Sequence, residues 1–324
     1  MKSIISVRVG RLNRLAIAAL FIVTLNSSLV CNADEFTGNL LINSQTPGAA
    51  NYRVTEYDSS GNLLQTFTPT PSPNSNDLWN TRDLVVGQNG NLHVFNGTFD
   101  PYLATYDAVA ETWSYRTHTD WSTINNSSYG GIGIIGDNVF VTNMGTAGQN
   151  TNGVVMFDLF NGTSSDVVTG VDTIDLTVGL DDSLWVLTSS RQAVQYDTTT
   201  FSVLDTVNLN GFNDVRSIAV DANGDFIIGS WSGFVARLDS SGSLINQFNT
   251  GFSILDVDIS TDGTVAFGSR SDGTWLSDAN LNGAIQIESN RWNSFVTFVP
   301  DAVPEPNSAF VLLLTGLAIA RRKR

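Results

Sequence analysis

One pattern recurs five times through the middle of this chain, and few folds accommodate it. It stands as DLVVGQNGNLHVFNG from Asp83, IGIIGDNVFVTN from Ile132, IDLTVGLDDSLWVLTSS from Ile174, RSIAVDANGDFIIGS from Arg216 and LDVDISTDGTVAFGS from Leu255. Each copy is an alternating apolar run, a tight turn of Asp, Asn and Gly, and a second run. The turns QNGN, ANGD and TDGT are hairpin signals, because Gly and Asn accept the positive φ such turns require. The second run begins at Leu92, Val139, Leu184, Phe226 and Val265, so the copies step by 47, 45, 42 and 39 residues. A further strand pair is clear in RVTEYDSSGNLLQTF (Arg53–Phe67), AVQYDTTTFSVLDTV (Ala193–Val207) and FVARLDSSGSLINQF (Phe234–Phe248). Four strands in roughly 40–45 residues is the period of a propeller blade.

The two ends of the repeat region complete the count. Residues 36–68 supply three strands, beginning GNLLINS, with no innermost strand before them. WNSFVTFV, residues 292–299, supplies one strand with no partners after it. Together they make one shared blade, which closes a ring and removes an exposed sheet edge. The expectation is an all-β, six-bladed β-propeller of four-stranded blades over residues 34–300, with five or seven blades as the alternatives. The stretch Arg216–Phe248 resembles the NHL and YncE-like propeller repeats, through IAVDANGD and RLDSSGSL. The resemblance extends weakly over residues 36–300 and implies an architecture, not a ligand.

The flanking segments carry address signals. Residues 1–33 have a basic start, an apolar run LAIAALFIVTL (Leu15–Leu25), and CNA before Asp34 with small residues where cleavage needs them. This is the pattern of a secretory signal peptide handled by the Sec export machinery. The apolar run is too short for a membrane anchor, which needs roughly 20 residues. The single cysteine, Cys31, falls inside this segment. The mature chain is therefore expected to lack disulfides, a thiolate nucleophile and cysteine-held metal. At the other end, residues 301–324 read Pro304-Glu305-Pro306, an apolar run Ala309–Ala320, and Arg321-Arg322-Lys323-Arg324. That order resembles the PEP-CTERM sorting tail. The resemblance implies transient inner-membrane anchoring by a transmembrane helix and cutting near Pro-Glu-Pro by an exosortase-type membrane peptidase. It also implies a final place at the cell surface or in an extracellular matrix, with polysaccharide as a partner. The basic terminus independently suits a helix whose cations stay cytoplasmic.

Charge excludes other partners. All 31 acids lie between the two basic ends, against eight arginines and no lysine. Such a surface repels nucleic acid and anionic lipid.

Propeller loops gather ligand-facing residues at one end of the channel, by analogy with the architecture. Here they bring Arg82, Asp83, Asp175, Arg191, Arg216, Trp231, Asp256 and Arg270 into consideration. Trp and Arg in a polar ring suit a sugar or a peptide, by stacking and paired hydrogen bonds. Solvated loops around a packed Trp are the plainer reading. The run DANLNGAIQIE approximates a calcium loop, with Asp278, Asn280, Asn282 and Glu288 as oxygen ligands. Glu288 is one position early for the helical version of that loop, and an Asx-rich hairpin turn explains the same residues.

Hydrolase motifs are missing. The two histidines, His93 and His118, belong to no HExxH, and no GxSxG elbow occurs. Gluconolactonase-like propellers hold a metal with acidic and Asn ligands near the channel. Asp83, Asp175 and Asp256 are the residues left to play that part. The leading expectation is a binding or structural module, and a metal-dependent lactonase or lyase is the alternative.

Overall fold

The computed structural model describes residues 39–46, 52–58, 60–67, 81–97, 101–119, 130–143, 152–179 and 181–300. The expected signal peptide lies outside them. So does the sorting tail, with Pro304, Glu305, Pro306, Arg321, Arg322, Lys323 and Arg324.

Local chemistry sets the hairpins. In the repeat copy at Arg216, Asp221 Oδ1 accepts the N–H groups of Asn223 (2.7 Å) and Asp225 (2.9 Å), while Gly224 turns the chain at φ 80°. The DSSG turn works in the same way. Asp239 Oδ1 accepts from the N–H groups of Ser241 and Ser243, both at 2.9 Å, and Gly242 adopts φ 84°. Side-chain oxygens thus satisfy the backbone donors that a reversing chain exposes.

Among the described residues these turns organise 24 strands into six antiparallel sheets of four. From the channel outward, blade 1 is β24 (Trp292–Phe298), β1 (Leu40–Gln45), β2 (Tyr52–Tyr57) and β3 (Leu63–Phe67). Blade 2 is β4 (Thr81–Val86), β5 (Leu92–Asn96), β6 (Tyr102–Asp107) and β7 (Thr112–Arg116). Blade 3 is β8 (Ile132–Ile135), β9 (Asn138–Asn143), β10 (Gly153–Asp158) and β11 (Thr163–Thr169). Blade 4 is β12 (Thr173–Val178), β13 (Leu184–Thr188), β14 (Gln192–Tyr196) and β15 (Val203–Asn208). Blade 5 is β16 (Val215–Val220), β17 (Phe226–Ser230), β18 (Phe234–Leu238) and β19 (Leu244–Asn249). Blade 6 is β20 (Ile254–Ile259), β21 (Val265–Ser269), β22 (Thr274–Ser277) and β23 (Ala284–Glu288).

The chain is a six-bladed propeller, closed as expected by its last strand. β24 pairs with β1 from Leu40 opposite Phe298 to Gln45 opposite Trp292. Second strands such as β5, β13, β17 and β21 are buried along their whole length, because blades pack against them on both faces. Outer strands are mostly exposed, as β15 shows. The core is accordingly six separate layers, one at each junction between neighbouring blades. The junction of blades 6 and 1 holds Leu40, Ile42, Ala266, Leu276 and Val296. Close approach of the backbones is part of the packing there. A Cβ on Gly268 would meet Ser294 O at 2.1 Å.

Phe295, Val296 and Val299 are all less than a tenth exposed. Burying side chains of this size stabilises by about 1.5–3 kcal/mol each, and a whole domain's net stability is only about 5–15 kcal/mol. Deleting residues 290–300 is therefore expected to abolish the cooperative thermal transition. The single change Val296→Ala should cost about 2 kcal/mol. A deletion variant that melted like the parent in calorimetry would show that β24 does not hold the ring shut.

Candidate functional site

An inner strand has a neighbour on one side only, so its N–H groups on the channel side lack sheet partners. Carboxylates fill that need in alternate blades. Asp83 of β4 accepts from its own neighbour Leu84 N (2.7 Å) and from Ile132 N of blade 3 (3.0 Å). Asp175 of β12 accepts from Leu176 N (2.9 Å) and from Ile218 N of blade 5 (2.8 Å). Asp256 of β20 accepts from Val257 N (2.8 Å) and from Val296 N of blade 1 (2.7 Å). Each aspartate thus ties its blade to the next, joining blades 2–3, 4–5 and 6–1.

In the partner blades the corresponding positions, just before the receiving amides, are Gly131, Ser217 and Phe295. Ser217 donates to Asp256 Oδ1 and accepts from Val257 N, both at 2.9 Å, which links blades 5 and 6. Gly131 leaves room for blade 4, since a Cβ there would stand 2.1 Å from Asp175 Oδ1. Asp258 repeats the device one layer along, accepting from Ile259 N (2.8 Å) and Phe298 N (2.7 Å). Sequence inspection missed Asp258. Its spacing of two from Asp256 on one strand, which puts both on the same face, was the available signal.

These four acids border a channel cavity of about 290 Å³, with Val85, Ile134, Val178, Val220 and Val299 also in its wall. Burial is the largest influence on each and favours the neutral form. It raises Asp175 to about 7 and Asp258 to about 6, against the donated N–H bonds that favour the anion. Asp83 and Asp256 also stand well above the ordinary carboxylate range. Burial comes first for both, followed for Asp83 by the charges of Asp256 and Asp175, and for Asp256 by that of Asp175. All eight carboxylate oxygens already accept a hydrogen bond from a backbone amide. Among the described residues no group of three or more His, Cys, Asp or Glu side chains is placed to hold a metal ion.

The arginines on the sequence-derived ligand face part company with these aspartates. A β-bulge falls at Arg82, between Thr81 and Asp83, and another at Arg216, between Val215 and Ser217. Bulges re-aim side chains, and here the bulged residues stand at the loop end of their strands. Arg216 meets Trp231, its guanidinium carbon 5.6 Å from the ring centroid. Arg270, from the next blade, stacks on the same indole at 4.8 Å. Arg191 adopts φ 61° in the loop of blade 4 and donates to Asn213 Oδ1 at 3.3 Å. Arg82 lies apart on blade 2. The structure therefore gathers Arg216, Trp231 and Arg270, with Arg191 on the adjoining blade. It sends Asp83, Asp175 and Asp256 into the buried channel ring instead.

The sequence-derived calcium loop also divides. Asp278 Oδ1 accepts from Asn280 N and Asn282 N, and its Oδ2 accepts from Asn282 Nδ2, all at 3.0 Å. This is an Asx turn. Glu288 lies at the far end of β23 and is buried at the seam between blades 6 and 1. It accepts from Ser44 Oγ (2.9 Å) and the Tyr57 hydroxyl (3.0 Å), with Arg53 at 3.6 Å and Arg291 at 3.7 Å. A strand setting separates the residues that a helical loop would bring together. His93 is buried and shares a hydrogen bond with Thr105 Oγ1 (3.0 Å); His118 does so with Ser164 Oγ (2.9 Å).

The fold defines the class as a six-bladed β-propeller. No protein-family model and no curated protein matches the sequence. Among solved structures, 1305 chains match, so the fold is too widely shared to name a ligand. One is a protein of unknown function from Bacteroides caccae. It is similar with a TM-score of 0.52 and 9% identity, over 80% of this chain and 98% of that one.

The channel acids dictate a pH response. For Asp175 the folded pKa of about 7 stands above the ordinary 3.8. Between those values the folded ring holds a proton that the unfolded chain has lost. Stability therefore falls as pH rises through the window, by about 1.4 kcal/mol per pH unit for each such group. His93, lowered to about 4 by burial and then by Arg116, acts oppositely below about pH 6.5. It is one group against the four channel acids, and Glu288, also raised by burial, acts with them. The melting temperature should fall between pH 5 and 7.5, and in Asp175→Asn the slope should be shallower. A parent melting temperature that rose across that range would contradict this assignment of charge states.

Proposed function

We propose that the chain is an exported cell-surface or matrix protein whose propeller is a binding module, working through its loop face. The observation that carries this reading is the convergence of Arg216, Trp231 and Arg270, from two neighbouring blades, on one indole. Guanidinium donors set over a partly exposed indole suit recognition of a polar polymer such as an extracellular polysaccharide. The alternative, a metal-dependent lactonase or lyase in the channel, needs carboxylates free to coordinate an ion and an open position for substrate. Asp83, Asp175, Asp256 and Asp258 instead have their oxygens occupied by backbone donors.

The route belongs to the same proposal. The N-terminal 33 residues direct Sec export. The C-terminal segment then holds the chain in the inner membrane until an exosortase-type peptidase cuts near Pro304-Glu305-Pro306. The order of motif, apolar run and basic terminus supports it.

Two experiments test the two halves. Trp231→Ala should melt within a few degrees of the parent yet lose retention on immobilised matrix polysaccharide from the producing cells. Equal retention of parent and variant would remove the loop face as the binding surface. Replacing Pro304, Glu305 and Pro306 together by Ala should leave the protein uncut in the membrane fraction of its own host. If the variant were processed and released like the parent, the sorting assignment would be wrong.

A further inference from the structure

The two ends of this ring differ in charge. At one end every third-to-fourth-strand turn opens with an aspartate that caps it: Asp58, Asp107, Asp158, Asp197, Asp239 and Asp278. Arg237 near that end is held by Asp221 and by Asp225 at 3.0 Å. At the other end stand Arg82, Arg191, Arg216, Arg270 and Arg291, in or beside the loops of blades 2, 4, 5 and 6 and of the 6–1 seam. Among the described residues most arginines thus gather at one end, while the turn aspartates fill the other. Arg270 is exposed, makes no ion pair with a described residue and lies over the Trp231 ring. Among the described residues Asp172, Asp214, Asp272 and Glu288 share this side, and Glu288 holds Arg291 at 3.7 Å. Asp214 accepts from Ser232 Oγ (2.9 Å) and Asp272 from Ser271 Oγ (3.0 Å), and neither pairs with Arg270.

We propose that the rim at this arginine-bearing end binds an anionic polysaccharide of the uronate type, with carboxylates on the exposed Arg270 and sugar rings against the part of the Trp231 indole that the guanidinium groups over it leave open. The inference rests on the loop face being the binding surface and names its ligand class. A guanidinium offers a planar pair of donors that matches a carboxylate, and an indole offers the apolar surface that a sugar's C–H face covers. Arginines on the successive blades 4, 5 and 6 suit a polymer that carries a charge on each repeat, since linked weak contacts add up by effective concentration. The acidic turn end repels the same polymer and confines it to one side.

The test uses the full-length chain in detergent at low salt, with three probes: polygalacturonate, neutral dextran and polyglutamate. Arg270→Ala removes one positive charge from the rim, and Val109→Glu adds one negative charge at an exposed position (68%) on the turn end. Polygalacturonate should bind at least about tenfold tighter than dextran or polyglutamate, and Arg270→Ala should erase about tenfold. Val109→Glu should change binding by less than about twofold. Equal damage by both variants would reduce the effect to net charge and overturn the proposal. Polyglutamate bound as tightly would overturn the carbohydrate part. Dextran bound equally and lost in Arg270→Ala would overturn the anionic ligand while leaving the loop face as the binding surface. Polygalacturonate binding indifferent to both Arg270→Ala and Trp231→Ala would overturn the ligand and the face together.

Discussion

A strand at the rim of a sheet carries N–H groups with nothing to bond, and a six-bladed ring places six such rims around one channel. Water could satisfy them in a wide channel, but here the inner strands are mostly buried. Asp83, Asp175 and Asp256 meet the need with carboxylates that bridge one blade's amide to the next blade's. Leaving a buried donor unmade costs about 1–3 kcal/mol, and each bridge answers two of them. Because the second amide belongs to the neighbouring blade, the same bonds set the angle and spacing of adjacent sheets. The apolar layers between blades can then close, and the turns and loops fall where they do.

That solution has an electrostatic consequence. Four carboxyl groups share one channel lined largely by valine and isoleucine, and burial opposes their ionisation. Donated N–H bonds pull the other way. The result is a set of acids held above the ordinary carboxylate range although they serve the scaffold. A raised carboxyl pKa in a cleft commonly marks catalysis. Here both oxygens of each group accept a backbone N–H, and holding the blades together accounts for their burial.

Much of the architecture was legible because it is repeated. The Asx-Gly turns and the period of 39 to 47 residues define blades without reference to packing, and the lone strand at 292–299 implies the shared blade. The site was legible only in part. Residue types marked out Arg216, Trp231 and Arg270, which the fold does bring together. The direction of Asp83 was not readable, because the bulge at Arg82 breaks the period-two alternation that assigns faces in a strand. Glu288 misled for a different reason. Its spacing falls one position short of a helical loop, and four residues of extended chain from Ala284 carry it about 13 Å, into a seam with Ser44 and Tyr57 that no local motif announces.

The parts of the sequence that repeat and the parts that do not have separate tasks. Turn-end aspartates recur in all six blades because every blade needs its turn capped, so their charge follows from folding. The arginines at the opposite end follow no such rule. Arg82 and Arg216 occupy matching bulges in blades 2 and 5, whereas Ile174 and Leu255 fill that place in blades 4 and 6. A bulge that accepts Ile or Leu does not require a guanidinium for its geometry. Blades 2 and 5 therefore carry an arginine where the repeat leaves the residue type open, and in blade 5 it meets the indole that Arg270 also reaches.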